Sequence, residues 1–234
     1  MECFPTGNAP ENPLLGEYIH MKIYLIRHGE TDWNLEQRLQ GATDIPLNEN
    51  GLELARVTAQ GLKDVPFDLI YTSPLTRARQ TAEIIRGERD IPLIEEPRIK
   101  EICFGIYEGY CCSPKNFTIP DPAFMNFFVD PGNYIPPQGA ESIEQLCRRT
   151  TDFLHEVAHN PDNADKTILF SSHGAAVKGL LSSLTVTDMK NFWNGGVHKN
   201  CGVTILNVTD GQITIERENI IYYDEARSHN YFEQ

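Results

Sequence analysis

The sequence predicts an α/β fold in which a mainly parallel central sheet carries helices on both faces and ends in a C-terminal β-hairpin. Three observations predict it. Short apolar runs of strand length alternate with longer segments whose apolar residues keep helical spacing. A helix-start signal, Ser73-Pro74, follows directly on one of the strand-like runs. Near the C-terminus two β-like runs flank Asp210-Gly211, a dipeptide suited to a two-residue hairpin turn.

Taken in order, residues 1–20 precede the pattern. Pro5, Pro10, Pro13, Gly7 and Gly16 punctuate a polar run with no apolar stretch of signal-peptide length. It reads as a disordered leader ahead of one domain over 21–234, with Met21 as a hypothetical natural start. Detection of native protein beginning at Met1 by N-terminal mass spectrometry would count against that start. Residues 22–26 form a first buried strand that delivers Arg27 and His28 at its C-terminal end. Asn48 caps a helix with Leu52, Ala55, Ala59 and Leu62 on one side, and 67–71 is the next strand. Ser73 as N-cap and Pro74 at the first helical position then open a helix to about Arg86, with Arg77 in its first turn.

A short strand near 92–94 precedes Glu101. The stretch 111–138 is rich in proline, phenylalanine and asparagine without a period, and reads as a lid or insertion. Ser142 and Gln145 make a capping box for a helix lined by Ile143, Leu146, Cys147, Thr150, Phe153 and Val157. A strand at 167–170 follows, closed by His173-Gly174. A helix over 175–184 and strands at 203–208 and 212–216 complete the chain.

Composition narrows the function. With 40% hydrophobic and 23% charged residues in 234, the chain has the make-up of an ordinary globular protein. Its 20 basic and 33 acidic residues leave a formal charge of −13, which disfavours nucleic acid and anionic membrane as partners. There is no transmembrane span in the sequence. The cysteines Cys3, Cys103, Cys111, Cys112, Cys147 and Cys201 show no CxxC spacing, so no zinc cage or redox motif is read and a reducing cytoplasm is the expected location. Nothing in the sequence sets the oligomeric state.

In sheets of this kind ligands gather at the C-terminal strand ends. Arg27-His28, Ser73 to Arg77 and Ser172-His173 all fall at such ends and are expected to meet in one pocket. A neutral imidazole there can attack phosphorus, Gly29 leaves access, and arginine neutralises phosphate charge. The alternative for His28 is a structural histidine bonded to a backbone carbonyl. Arg77 brings a fork of donors beside oriented backbone N–H groups; its alternative is a solvated arginine, as expected of Arg79 and Arg86. His173 would donate to phosphoryl oxygens in the transition state, or else be a core histidine. Glu101 is the candidate proton donor to the leaving oxygen, with an ion pair to Lys100 or Arg98 as an equal alternative. Trp33, Phe104 and Tyr107 read as packing residues.

These residues resemble the histidine phosphatase superfamily, also called phosphoglycerate mutase-like. Arg27-His28-Gly29-Glu30-Thr31-Asp32-Trp33-Asn34 is similar to its signature, and Gln40-Gly41 and Leu47 to Gly51 follow in order. Ser73-Pro74-Leu75-x-Arg77-Ala78-x-Gln80-Thr81-Ala82 is similar to its second block. Glu101 to Gly109, Gly139 to Ser142, and Ser172-His173-Gly174 complete the series. The resemblance implies a phosphoglycerate mutase-like fold and a phosphohistidine mechanism without metal or other cofactor, acting on a small-molecule phosphomonoester. His28 would be the nucleophile. Arg27, Arg77, His173 and Gly174 would hold the phosphoryl group with help from Asn34. Glu101 would protonate the leaving oxygen and then activate water. The phosphatase branch is favoured over a 2,3-bisphosphoglycerate-dependent mutase. Mutases place a lysine where this chain has Cys112 and an arginine pair beyond it, whereas Lys115 is the single basic residue between Glu101 and Glu141. Arg148-Arg149 reads as structural or surface. A catalytically dead phospholigand-binding module would need a broken constellation, and every member is present.

Overall fold

A computed structural model describes residues 20–227. Six strands form one sheet: β1 (His20–Arg27), β2 (Leu69–Thr72), β3 (Leu93–Glu95), β4 (Thr167–Ser172), β5 (Val203–Thr209) and β6 (Gln212–Ile220), in the order β3-β2-β4-β1-β5-β6. β1, β2, β3 and β4 run parallel, while β5 is antiparallel to β1 and to β6. The helices are α1 (Asp32–Leu35), α2 (Glu49–Gly61), α3 (Thr76–Arg86), α4 (Asn126–Val129), α5 (Ile143–Ala158) and α6 (Gly174–Thr185). The α/β class, the mainly parallel sheet and the C-terminal hairpin are as the sequence predicts. The leader expected over residues 1–20 lies outside the described residues except for His20, which opens β1.

Alternation along β1 explains the two-sided core. Ile23 and Leu25 face Phe153, Leu154, Val177 and Leu180 of α5 and α6, while Tyr24 and Ile26 face Leu54, Ala55, Ala82 and Ile85 of α2 and α3. Burying residues on both faces is why these runs read as continuously apolar. A third cluster joins Leu39, Ile102, Phe104, Phe124, Phe127 and Phe192 under the 111–138 stretch. That stretch, read from sequence as a lid or insertion, is folded and has its own aromatic packing, such as Phe127 edge-on to Phe128 at 4.9 Å between ring centres.

Strand order and register place the site. β4 lies between β1 and β2, so Arg27 pairs with Ser172, and Thr72 with Ser171. The next residues continue the ladder, with His28 N donating to Ser172 O at 2.9 Å and Ser73 N to Ser171 O at 2.9 Å. Three segments thus end at one level. The hairpin turn has φ of 51° at Asp210 and 75° at Gly211, the two positive values its twist requires.

The start of α3 differs from the sequence reading. Its N-cap is Leu75 and the first helical residue Thr76, because the Ser73 N–H still donates to Ser171 O on the strand ladder and Pro74 makes the bend between strand and helix. The Ser73 hydroxyl oxygen accepts from Leu75 N at 3.3 Å and from His173, and Asp44, from a distant loop, caps the helix by accepting from Thr76 N at 2.7 Å and from Thr76 Oγ1 at 2.8 Å. Arg77 remains in the first turn.

Candidate active site

His28 is 3% exposed, and its Nδ1 lies 2.6 Å from the carbonyl oxygen of Gly29. A carbonyl only accepts, so Nδ1 carries the proton and Nε2 is left with its lone pair. The backbone-bonded histidine, one of the two alternatives read from the sequence, is present, and the bond leaves Nε2 able to act as a base or nucleophile. Burial, then the charges of Arg77 and Arg27, push the pKa of His28 well below the ordinary histidine value and keep the ring neutral. Gly29 serves packing more than access: a Cβ there would come within 2.5 Å of the Gly51 carbonyl oxygen. That close approach seats the segment after β1 on the start of α2.

Arg77 is fully buried, and three of its N–H groups are committed: to Gly41 O at 2.8 Å, to Thr43 O at 2.8 Å and, through Nε, to His173 Nδ1 at 3.2 Å. Burial lowers its pKa to about 10, which leaves it charged at neutral pH. Since His173 Nδ1 accepts, its Nε2 carries the proton and donates to Ser73 Oγ at 2.7 Å. His173 thus stands behind Arg77, its ring 5.2 Å from that of His28, and is not among the residues lining the cavity. To donate to a phosphoryl oxygen, Nδ1 would have to take up a proton and release Arg77. A Cβ at Gly174 would stand 3.0 Å from Val197 Cγ1 and in ordinary contact with Arg27 Nε at 3.6 Å and Glu101 Oε2 at 3.7 Å. Asn34 is buried on α1.

Glu101 accepts from Ile102 N at 3.0 Å, Ala176 N at 3.0 Å and Ala175 N at 3.2 Å, which fixes its carboxylate on the N-terminus of α6. The ion-pair alternative does not occur, for Arg98 pairs with Glu96 and Glu156. Arg149 holds the Glu101 segment from below. Its five N–H groups meet Glu141 Oε1 at 2.6 Å, Glu141 Oε2 at 2.7 Å, and the carbonyls of Arg98, Lys100 and Glu101 at 2.7, 2.8 and 3.2 Å. Arg148 is exposed. Arg149→Met, which strands these acceptors, is expected to cost about 2 to 3 kcal/mol in urea unfolding, against less than about 0.5 kcal/mol for Arg148→Met.

Arg27, His28, Arg77, Glu101 and Gly174 line one cavity of about 710 Å³. Phe127, Phe128 and Val129 of the lid and Trp193 form an apolar wall. Gln37, Arg38, Gln40, Cys112, Ser113 and Lys115 form a polar one. Trp33 and Phe104 also line it, and both pack as read from sequence, Trp33 under the Arg38 guanidinium and Phe104 in the core beside Phe127; Tyr107 packs edge-on to Phe124. Gln40, legible only as part of a Gln-Gly motif, is 8% exposed with a buried Oε1 that lacks a partner. Trp193 carried no signal in the sequence, because it reaches the cavity from a turn after α6. Among the described residues no group of three or more His, Cys, Asp or Glu side chains is placed to hold a metal ion, and no helix is long and apolar enough to cross a membrane.

Three buried histidines carry a pH signature. His28, His173 and His198 all have depressed pKa values, by burial first, with His198 pushed down to about 3. In the unfolded chain each protonates near 6.5, so their neutral burial stabilises fully above that pH and is lost as pH falls towards the folded-state values. Each is expected to contribute a slope of about 1.4 kcal/mol per pH unit below 6. Urea midpoints at pH 7 and pH 5 check this, and His198→Gln should flatten the slope by one histidine's share.

The family model of the histidine phosphatase superfamily (branch 1) matches residues 23–221. The chain is 39% identical over 166 residues to the uncharacterized phosphatase PhoE of Bacillus subtilis, covering 71% of this chain and 78% of that one. It is 34% identical over 166 residues to the probable phosphoglycerate mutase GpmB of Photorhabdus laumondii, covering 70% and 74%. Among solved structures, YhfR of Bacillus stearothermophilus superposes with a TM-score of 0.80 at 33% identity, over 86% of this chain and 98% of that one. The chain is an enzyme of the histidine phosphatase superfamily.

Proposed function

We propose that this enzyme is a metal-independent phosphomonoester hydrolase working through a phosphohistidine on His28. The observation that carries the reading is the state of His28: neutral, with its proton held on Nδ1 by Gly29 O, between Arg27 and Arg77 on the cavity wall. Nε2 attacks phosphorus, the bond from phosphorus to the substrate oxygen breaks, and Glu101 delivers a proton to that oxygen. Glu101 then takes a proton from water as the water oxygen displaces the imidazole and releases phosphate. Arg27 and Arg77 offset the charge spread over the phosphoryl oxygens, with Asn34 and Gly174 completing the phosphate site and His173 joining it when its Nδ1 takes up a proton and releases Arg77.

Transfer to water is favoured over return to substrate by what faces the cavity. At Cys112 burial pushes the thiol up to about 12, so this position supplies no charge, and Lys115 is the lid's single cation on the wall. The aromatic side suits a phosphomonoester with an apolar body. Steady phosphate release from p-nitrophenyl phosphate, unchanged by a chelator, is expected. Interconversion of 2- and 3-phosphoglycerate that depends on 2,3-bisphosphoglycerate and outruns hydrolysis would replace this reading with the mutase.

A further inference from the structure

The loop from α6 to β5 runs behind Arg27, His28 and Asn34. It is tied there by the main chain, with Cys201 N donating to Arg27 O at 3.0 Å, and by Arg27 Nη1 donating to His198 O at 2.5 Å. Within it Asn200 is 3% exposed, and its Nδ2 donates to two oxygens: the carbonyl of His28 at 3.0 Å and Oδ1 of Asn34 at 3.3 Å. Asn34 Oδ1 also accepts from Thr31 N at 3.1 Å.

The orientation of both amides follows from the two ends of this chain of bonds. The His28 carbonyl only accepts, so the NH₂ of Asn200 must face it. The Thr31 N–H only donates, so the oxygen of Asn34 must face that. The amides then meet NH₂ to oxygen in the middle, and turning either one would set like against like in a buried place. Nδ2 of Asn34 is left as the group that can donate to a phosphoryl oxygen.

We propose that Asn200 is a positioning residue for phosphoryl transfer, holding the nucleophile's backbone and the Asn34 amide in one fixed relation so that Asn34 presents its donor to the phosphoryl group. The inference rests on the phosphohistidine reading for the part it gives Asn34. Sequence carries no sign of it, since 166 positions separate the two asparagines.

Four variants test it: Asn34→Ala, Asn200→Asp, the pair combined, and Tyr223→Phe. Aspartate keeps the size of asparagine but puts an acceptor where the relay needs a donor. Asn34→Ala and Asn200→Asp are each expected to lower kcat/KM on p-nitrophenyl phosphate by about 10- to 100-fold, the loss of one hydrogen bond to a charged group. Each should also weaken inorganic phosphate binding measured by calorimetry. The combined variant should lose less than the product of the two single losses, because Asn200 acts in part through the Asn34 donor that Asn34→Ala already removes. Tyr223→Phe removes the hydroxyl that donates to Asn200 O at 2.5 Å, loosening the loop without touching the relay, and should keep activity near wild type.

Losses that multiply in the combined variant, unchanged phosphate affinity in Asn200→Asp, or an equal loss in Tyr223→Phe would each overturn the proposal. If Asn200→Asp does not fold, Asn200→Ser, which is too short to bridge both oxygens, takes its place with the same expected pattern. Phosphate binding that follows this pattern in a chain whose turnover does not need His28 would sink the phosphohistidine reading and leave the relay standing.

Discussion

His28→Ala is expected to lower the turnover of p-nitrophenyl phosphate by on the order of 10⁴-fold or more, with the fold intact. The side chain lost is the one whose Nε2 would bond phosphorus, and Arg27 and Arg77 alone offer only electrostatic help to attack by water. Rapid alkaline quench of the wild type should trap acid-labile, base-stable phosphate on the protein, and the variant should trap none. The pH profile supplies a second check. Protonation would remove the attacking lone pair, but burial and two flanking arginines hold the pKa well below the ordinary value. The acid limb of kcat/KM should therefore show no fall through 6.5 and should begin at lower pH. Turnover retained in His28→Ala would end the phosphohistidine reading.

Glu101→Gln is expected to cost about 10²- to 10⁴-fold on an alkyl phosphate and far less in the first step on p-nitrophenyl phosphate. An alkoxide needs a proton to depart, whereas p-nitrophenolate is a weak base and leaves without one. The second step needs Glu101 as base whichever substrate was used, so the variant should give a burst of p-nitrophenol and accumulate phosphohistidine. The amide also keeps only part of the original contacts. One end can still accept from Ile102 N and Ala176 N, but its NH₂ is then set against Ala175 N–H, a loss of about 1 kcal/mol in stability. Equal losses on both substrates with no burst would assign Glu101 a structural role.

The elements were legible where local chemistry specifies them. Asn48 accepts from Gly51 N at 2.8 Å, and Ser142 and Gln145 close their capping box, because caps depend on residues within one turn. Ser73 misled for the opposite reason: a residue 100 positions away competes for its hydroxyl. The role of Arg149 was legible only as structural, since its acceptors are mostly carbonyls, which any residue possesses.

By itself the sequence determined the α/β class, the strand ends where Arg27, His28, Arg77 and His173 emerge, and Glu101 as the acid candidate. Periodicity and residue chemistry are local and survive in one dimension. Only the tertiary structure decided which proton His28 carries, that His173 faces Arg77 and Ser73, that Trp33 and Phe104 line the cavity, and that Asn200 joins His28 to Asn34. Each of these depends on the direction of a donor or acceptor brought from a distant segment, and the register of β4 between β1 and β2 sets those directions.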